Sequence, residues 1–213
     1  MEGMKIALFG GSFDPPHVAH QMACLYVLET YDVDELWMVP CFQHPFDKRL
    51  LPFAHRVAMC ELAAQALGGR VRVSTVEEEL AGPSFTLTTV KALLQRHPEH
   101  EFQLMIGADL LRERERWHGA AELLSLVRFI VLGRAGVEGG PLHPGRDLFH
   151  DGGLELPAVS STLVRSHLAA GTPPSAWLSR SVLAYIREHD LYSHEISSTD
   201  GTAVGPGHHH AAV

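Results

Sequence analysis

The sequence predicts an α/β protein built on a doubly wound parallel sheet with helices on both faces. Three observations predict it. Short strand-like runs alternate with segments of helical periodicity, the pattern of a parallel sheet joined by crossover helices. The first run, KIALF, leads through a glycine pair into a helix start, which places a ligand at the carboxyl end of the sheet. A chain of 213 residues, 46% apolar and 20% charged, suits one medium domain with a sizeable core.

The strand runs are Lys5 to Phe9, Glu35 to Val39, Arg70 to Thr75, Glu101 to Ile106 and Arg128 to Leu132. Helical spacing is expected near His17 to Thr30, Pro52 to Leu67 and Thr86 to Gln95. Glycine and proline from Gly133 to Gly153 predict an irregular excursion. Two closing helices are expected at about Ser161 to Ala169 and Ser179 to Glu188. One domain should therefore span 1–192. The small and polar residues of 193–213, His208 to His210 included, predict a disordered, solvated tail.

Composition narrows the function. A formal charge of -8 offers no broad basic surface for nucleic acid, although a local cationic pocket could hold one small anion. Cys24, Cys41 and Cys60 lie in or beside apolar stretches without CxxC spacing, which predicts buried thiols in a reducing compartment. No signal-peptide pattern and no membrane-length apolar run is seen, so a cytoplasmic chain with no membrane partner is expected. Oligomeric state is not legible, and a homo-oligomer stays open.

The stretch GGSFDPPHVAH carries the chemistry. Glycines let backbone approach a phosphate, and free amides at a helix start favour an anion. The segment is neither GxGxxG nor a P-loop. In their place stand His17 and His20, whose spacing puts both rings on one face of a first helical turn. Two histidines without a third ligand at fitting spacing argue poorly for zinc. Hydrogen-bond donation to phosphate oxygens fits better.

GGSFDPPHVAH resembles the signature of the HxGH nucleotidyltransferases. GPSFTLTTVKAL (82–93), MIGADLLRERERW (105–117), VSSTLVRSHLAAG (159–171) and VLAYIREHDLY (182–192) are similar, in the same order, to blocks of the nicotinate or nicotinamide mononucleotide adenylyltransferases. The resemblance implies a Rossmann-like fold and transfer of AMP from ATP to a pyridine mononucleotide with release of pyrophosphate. It implies His17, His20, Lys48 and Arg165 as the catalytic cations and donors. ATP would be held by Gly10, Gly11, Ser12, Phe13, Gly107, Asp109, Ser161 and Thr162, with Asp109 on the adenosine ribose. Ser84, Thr86, Trp117 and His118 would face the pyridine nucleotide, the Trp117 indole stacking on its ring. Mg²⁺ should arrive with ATP, held mainly by phosphates and water and by no protein cage.

Departures from the family pattern qualify the substrate. Ala19 replaces the glycine of HxGH and is expected to add a methyl near the phosphates. The segment from Lys48 to Ala63 looks more like the eukaryotic nicotinamide enzymes than like a bacterial PPHK loop. His55 and Arg56 are its further cations. Nicotinate mononucleotide is the expected acceptor, because more of the blocks resemble bacterial enzymes. The nicotinamide form, dual use, another phosphorylated acceptor such as phosphopantetheine, and a non-catalytic nucleotide-binding module remain the alternatives.

Overall fold

Hydrophobic alternation along the strands builds two cores, one on each face of a parallel sheet. The computed structural model describes residues 3–193, leaving aside 47, 137, 151–152, 173 and the side chain of residue 134. In chain order its elements are β1 (Lys5–Gly11), α1 (Val18–Thr30), β2 (Glu35–Pro40), α2 (Phe53–Gln65), β3 (Val71–Val73), α3 (Thr86–Arg96) and β4 (Glu101–Gly107). There follow α4 (Ala120–Leu126), β5 (Arg128–Arg134), β6 (Asp147–Leu148), β7 (Glu155–Leu156), α5 (Ser161–Ala169) and α6 (Arg180–Glu188). Short 3-10 turns occupy Val76–Glu79, Ala108–Arg112 and Arg114–Arg116.

The strands pair in the order β3-β2-β1-β4-β5-β6, all parallel, with β7 also alongside β5. This is the doubly wound order, and its switch point falls between β1 and β4. Period-two alternation sends Ile6, Leu8, Leu104, Ile106, Phe129 and Val131 into one core with Leu87, Val90 and Leu93 of α3. Their neighbours Ala7, Met105, Ile130 and Leu132 enter the opposite core with Ala23, Cys24 and Val27 of α1 and Cys60 and Ala64 of α2. A third cluster joins Met59 and Ala63 of α2 to Val164 of α5 and Val182, Leu183 and Ile186 of α6. It seats the closing helices against the start of α1.

The five expected strands and five expected helices are all present, with shifted ends. The strand at Val71–Val73 is shorter than expected because it is an edge strand, hydrogen-bonded on one side to β2. The excursion from Gly133 is less irregular than its composition suggests: β5 runs to Arg134, and two short strands follow. Helix α4 was not expected, since seven residues hold too few turns for periodicity to emerge. All three cysteines are free and buried, as expected. Among the described residues no helix is long and apolar enough to cross a membrane. The expected tail beyond Ser193, with His208 to His210, lies outside the described residues.

The third cluster makes a measurable claim. Ile186→Ala removes a side chain 2% exposed and should cost about 2 to 5 kcal/mol in urea unfolding. A loss below about 1 kcal/mol would mean that α6 contributes little to the fold.

Candidate active site

Every element that carries a candidate residue ends or begins at the carboxyl edge of the sheet. Gly10 and Gly11 are strand residues there, paired with Val39 and Pro40, and not the turn that the glycine pair suggested. The parallel ladder simply continues through them, leaving a side-chain-free floor. The turn follows at Ser12, and its left-handed residue is Phe13, φ 45°. The Phe13 ring lies over Gly11, where an added Cβ would meet it at 3.1 Å, and packs edge-on to Phe9 and His20. Packing of this buried aromatic thus holds a backbone conformation that phenylalanine by itself disfavours.

His17 is the N-cap of α1, and not its first helical residue, with extended backbone at φ -137°. It is buried, while His20 is half-buried. The two rings stack with centroids 3.7 Å apart and planes at 22°. The His17 backbone N–H donates to His20 Nδ1 at 3.1 Å. With Nδ1 accepting, the neutral His20 ring carries its proton on Nε2, so that nitrogen is a donor. The expected methyl near the phosphates is absent: Ala19 is buried in the third cluster with Met59 and Ala63. Its position one residue before His20 turns it to a different helix face.

Helix α5 brings the arginine. Ser160 is the N-cap, its Oγ accepting from the Leu163 N–H at 3.2 Å. Arg165 donates from one guanidinium nitrogen to the Asp14 carbonyl at 2.7 Å and from the other to Thr162 Oγ1 at 3.3 Å. Ser161 was expected to turn its hydroxyl to phosphate, but that hydroxyl donates to the Pro15 carbonyl at 2.9 Å and docks the helix. Thr162 is exposed and accepts from Arg165, which leaves its own O–H to donate.

Lys48 shares this region. Partial burial, then the charge of Arg165, pulls its pKa below the ordinary lysine value, with Asp14 opposing. Arg56, which sequence left as a further loop cation, is 1% exposed and spent on carbonyls: Leu51 and Ser12 at 2.9 Å, Phe42 at 3.5 Å. It staples the loop after β2 to the turn after β1. His55 is also structural, its Nδ1 2.9 Å from the Tyr185 hydroxyl. Sequence reasoning passed over His44, which is 8% exposed. Its Nδ1 accepts from the Phe46 N–H at 3.2 Å, and burial with Lys48 and Arg56 lowers its pKa.

A cavity lies over Gly10 and Gly11, lined also by Cys41, Glu77, Ser84 and Thr86. Ser84 and Thr86 both line it, and Ser84 Oγ already accepts from the Phe42 and Gln43 N–H groups at 3.1 Å. Glu77 is the cavity-lining residue that sequence missed. Its carboxylate is buried, accepting from the Phe42 N–H at 3.0 Å and the Thr89 hydroxyl at 2.8 Å. One glutamate among VEEEL gives no local sign of burial. Burial pushes the Cys41 thiol up to about 11, with Glu77 adding to the shift, so it is an inert wall.

Gly107 ends β4, and Asp109 follows in the 3-10 turn. The Asp109 carboxylate folds back over Gly107, into space that any Cβ would fill. Trp117 is half-buried and packs against the first core. His118 is exposed, its ring stacked on Phe85 with centroids 4.5 Å apart. That stack ties the 117–118 segment to the Ser84–Thr86 corner. Among the described residues the metal-spaced group is His97, Glu99 and His100, at the start of β4 and so at the other end of the sheet.

Fold and site together define a nucleotidyltransferase, and the cytidylyltransferase-like profile matches residues 8–167, so the chain belongs to that family. Within it the chain belongs with the nicotinate-nucleotide adenylyltransferases. The probable nicotinate-nucleotide adenylyltransferase of Anaeromyxobacter sp. (strain K) is 44% identical over 193 residues, 89% of this chain and 97% of the relative. That of Myxococcus xanthus is 42% identical over 189 residues, with 89% and 95% covered. The Plasmodium falciparum nicotinic acid mononucleotide adenylyltransferase complexed with NaAD shares the fold, with a TM-score of 0.74 at 20% identity, covering 91% of this chain and 100% of that one.

The depressed Lys48 pKa has a testable origin. Arg165→Met removes a like charge, and ATP adds opposite ones, so either should raise it. Side-chain NMR titration of the lysine ammonium reads the shift. An unchanged value in both cases would separate Lys48 from Arg165 and from the triphosphate.

Proposed function

We propose that the protein transfers AMP from ATP to nicotinate mononucleotide, forming nicotinate adenine dinucleotide and pyrophosphate. A phosphate oxygen of the mononucleotide attacks the α-phosphorus in line. The new P–O bond forms as the bond to the β-phosphate bridging oxygen breaks, and pyrophosphate leaves. Such a transfer needs position and charge stabilisation more than covalent help. The observation that carries the reading is the stacked His17–His20 pair at the carboxyl edge of the sheet, on the segment whose Asp14 carbonyl holds Arg165, with Lys48 within reach of the charges of Asp14 and Arg165.

His20 Nε2–H, His17 and the backbone amides around Gly11 to Phe13 donate to the oxygens on which charge accumulates. Arg165, Lys48 and Thr162, with the free amides at the start of α5, take the β and γ phosphates. Asp109 accepts from the adenosine ribose hydroxyls, and Trp117 stacks on the pyridine ring. Mg²⁺ enters as part of the ATP substrate, neutralising phosphate charge. Asp14, the nearby buried carboxylate, is committed to Tyr192 and Arg165, which fits an ion held by phosphates and water.

The pyridine carboxylate would meet the free amides at the start of α3, beside Ser84 and Thr86, with His118 at the rim. One observation favours the amide as a second acceptor. Glu77 is the charged residue among those lining the cavity, and a neutral carboxamide escapes its like charge. Pyrophosphate release with ATP plus nicotinate mononucleotide, repeated with the nicotinamide form, tests both. Release with neither acceptor would overturn the assignment.

Two substitutions divide the roles. Loss of an aligned donor costs about 3 to 4 kcal/mol, so His20→Ala should lower kcat by roughly two to three orders of magnitude. A folded variant with parental kcat would remove His20 from the chemical step. Arg165→Ala should weaken ATP far more than AMP, whereas Asp109→Asn should weaken both in calorimetric titration. Equal losses for ATP and AMP in Arg165→Ala would take the arginine off the triphosphate.

A further inference from the structure

We propose that the glycine-rich excursion 139–147 is a strap that positions the segment carrying Asp109 and Trp117, with Arg114 and Asp147 as its rivet. The inference rests on the reading that this segment holds the ribose and the pyridine ring. Residues 108–116 form two 3-10 turns, which have poor hydrogen-bond geometry and little stability of their own. Something outside must hold them at a defined angle.

The strap lies flush on these turns. A Cβ on Gly139 would meet the Ala108 Cβ at 3.2 Å, and one on Gly140 would meet the Arg112 backbone nitrogen and the Leu111 Cβ at 2.9 Å. Glycine is needed at this close approach and not for a turn, since neither residue has positive φ. Arg112 donates to the Gly139 carbonyl at 3.4 Å.

The rivet closes the far end. Arg114 donates both terminal nitrogens to the Asp147 carboxylate, at 2.6 and 2.8 Å, with side chains 1% and 0% exposed. The Pro141 carbonyl accepts from Arg114 at 3.5 Å, and Asp147 accepts the His143 N–H at 2.6 Å. The guanidinium also sits 5.5 Å from the centroid of the Phe129 ring, on β5. A fork on a carboxylate fixes direction in a way that apolar packing cannot, while a buried pair adds little net stability over an apolar replacement. Orientation of the turns is therefore its contribution.

Three variants test this. Arg114→Met with Asp147→Leu keeps the volume apolar and removes the direction; Arg114→Lys keeps the charge and loses the fork. Gly140→Ala pushes on the turn from the strap side. Each is labelled with 5-fluorotryptophan, whose three ¹⁹F resonances report Trp37, Trp117 and Trp177, the middle one assigned by Trp117→Phe. The Trp117 resonance should move or broaden while the other two hold. KM for the mononucleotide and for ATP should rise about tenfold, more than kcat falls, at a midpoint of unfolding within a few degrees of the parent. A Trp117 resonance and KM values unchanged in all variants that fold would overturn the strap. Should the double variant not fold, Arg114→Lys and Gly140→Ala still decide between these outcomes. A parent without turnover would instead sink the reaction, and the fluorine signal would still decide the strap.

Discussion

Asp14 is the point on which the rest of the structure depends. The residue is 3% exposed, and its Oδ1 accepts from the Tyr192 hydroxyl at 2.7 Å. Its backbone carbonyl accepts from Arg165, and the carbonyl of the next residue accepts from Ser161. A carboxylate buried this far is costly unless partnered. The partners come from residues 151 and 178 positions away, so satisfying one side chain near the start of the chain requires its end to dock. Burial and the neighbouring carboxylate raise the Tyr192 phenol far above its ordinary value, which keeps it a donor. Docking, in turn, is what brings α5 and its arginine against the loop before His17.

Around that point the protein holds like charges together. The chain carries a formal charge of -8, yet Lys48, Arg56 and Arg165 all lie near the 12–14 turn. Their mutual repulsion is met by the fold in different ways. Arg56 is satisfied by three carbonyls and acts as structure. Arg165 is held by the Asp14 carbonyl and Thr162, and Lys48, whose pKa is lowered by burial and by Arg165, gains from an incoming polyanion. Such preorganisation costs the protein nothing at the moment of reaction.

The cavity over Gly10 and Gly11 is organised by a different device. Glu77 and Ser84 together accept the Phe42 and Gln43 amides, which pins the loop after β2 to the corner before α3. The Phe85–His118 stack then carries that corner to the segment after β4. The cavity is thus floored by residues of β1, β2 and β4 and walled by the loop after β2 and the corner before α3.

By itself the sequence determined the alternation of strands and helices, the two-sided sheet and the place of the histidine pair, because period and local spacing depend only on neighbours along the chain. It also determined that Ser84 and Thr86 sit at a helix start and that Gly107 and Asp109 follow a strand. Only the tertiary structure decided what each polar group does there. Ser161 read as a ligand for phosphate and Arg56 as a further loop cation, and both hold carbonyls of distant loops. Ala19 read as a neighbour of phosphate and fell into a core. Glu77 and Arg114, which stand among other charged residues and carry no local sign of burial, are buried. A hydrogen-bonding group serves whichever partner the fold brings within 3 Å, and for these residues that partner lies far away in sequence.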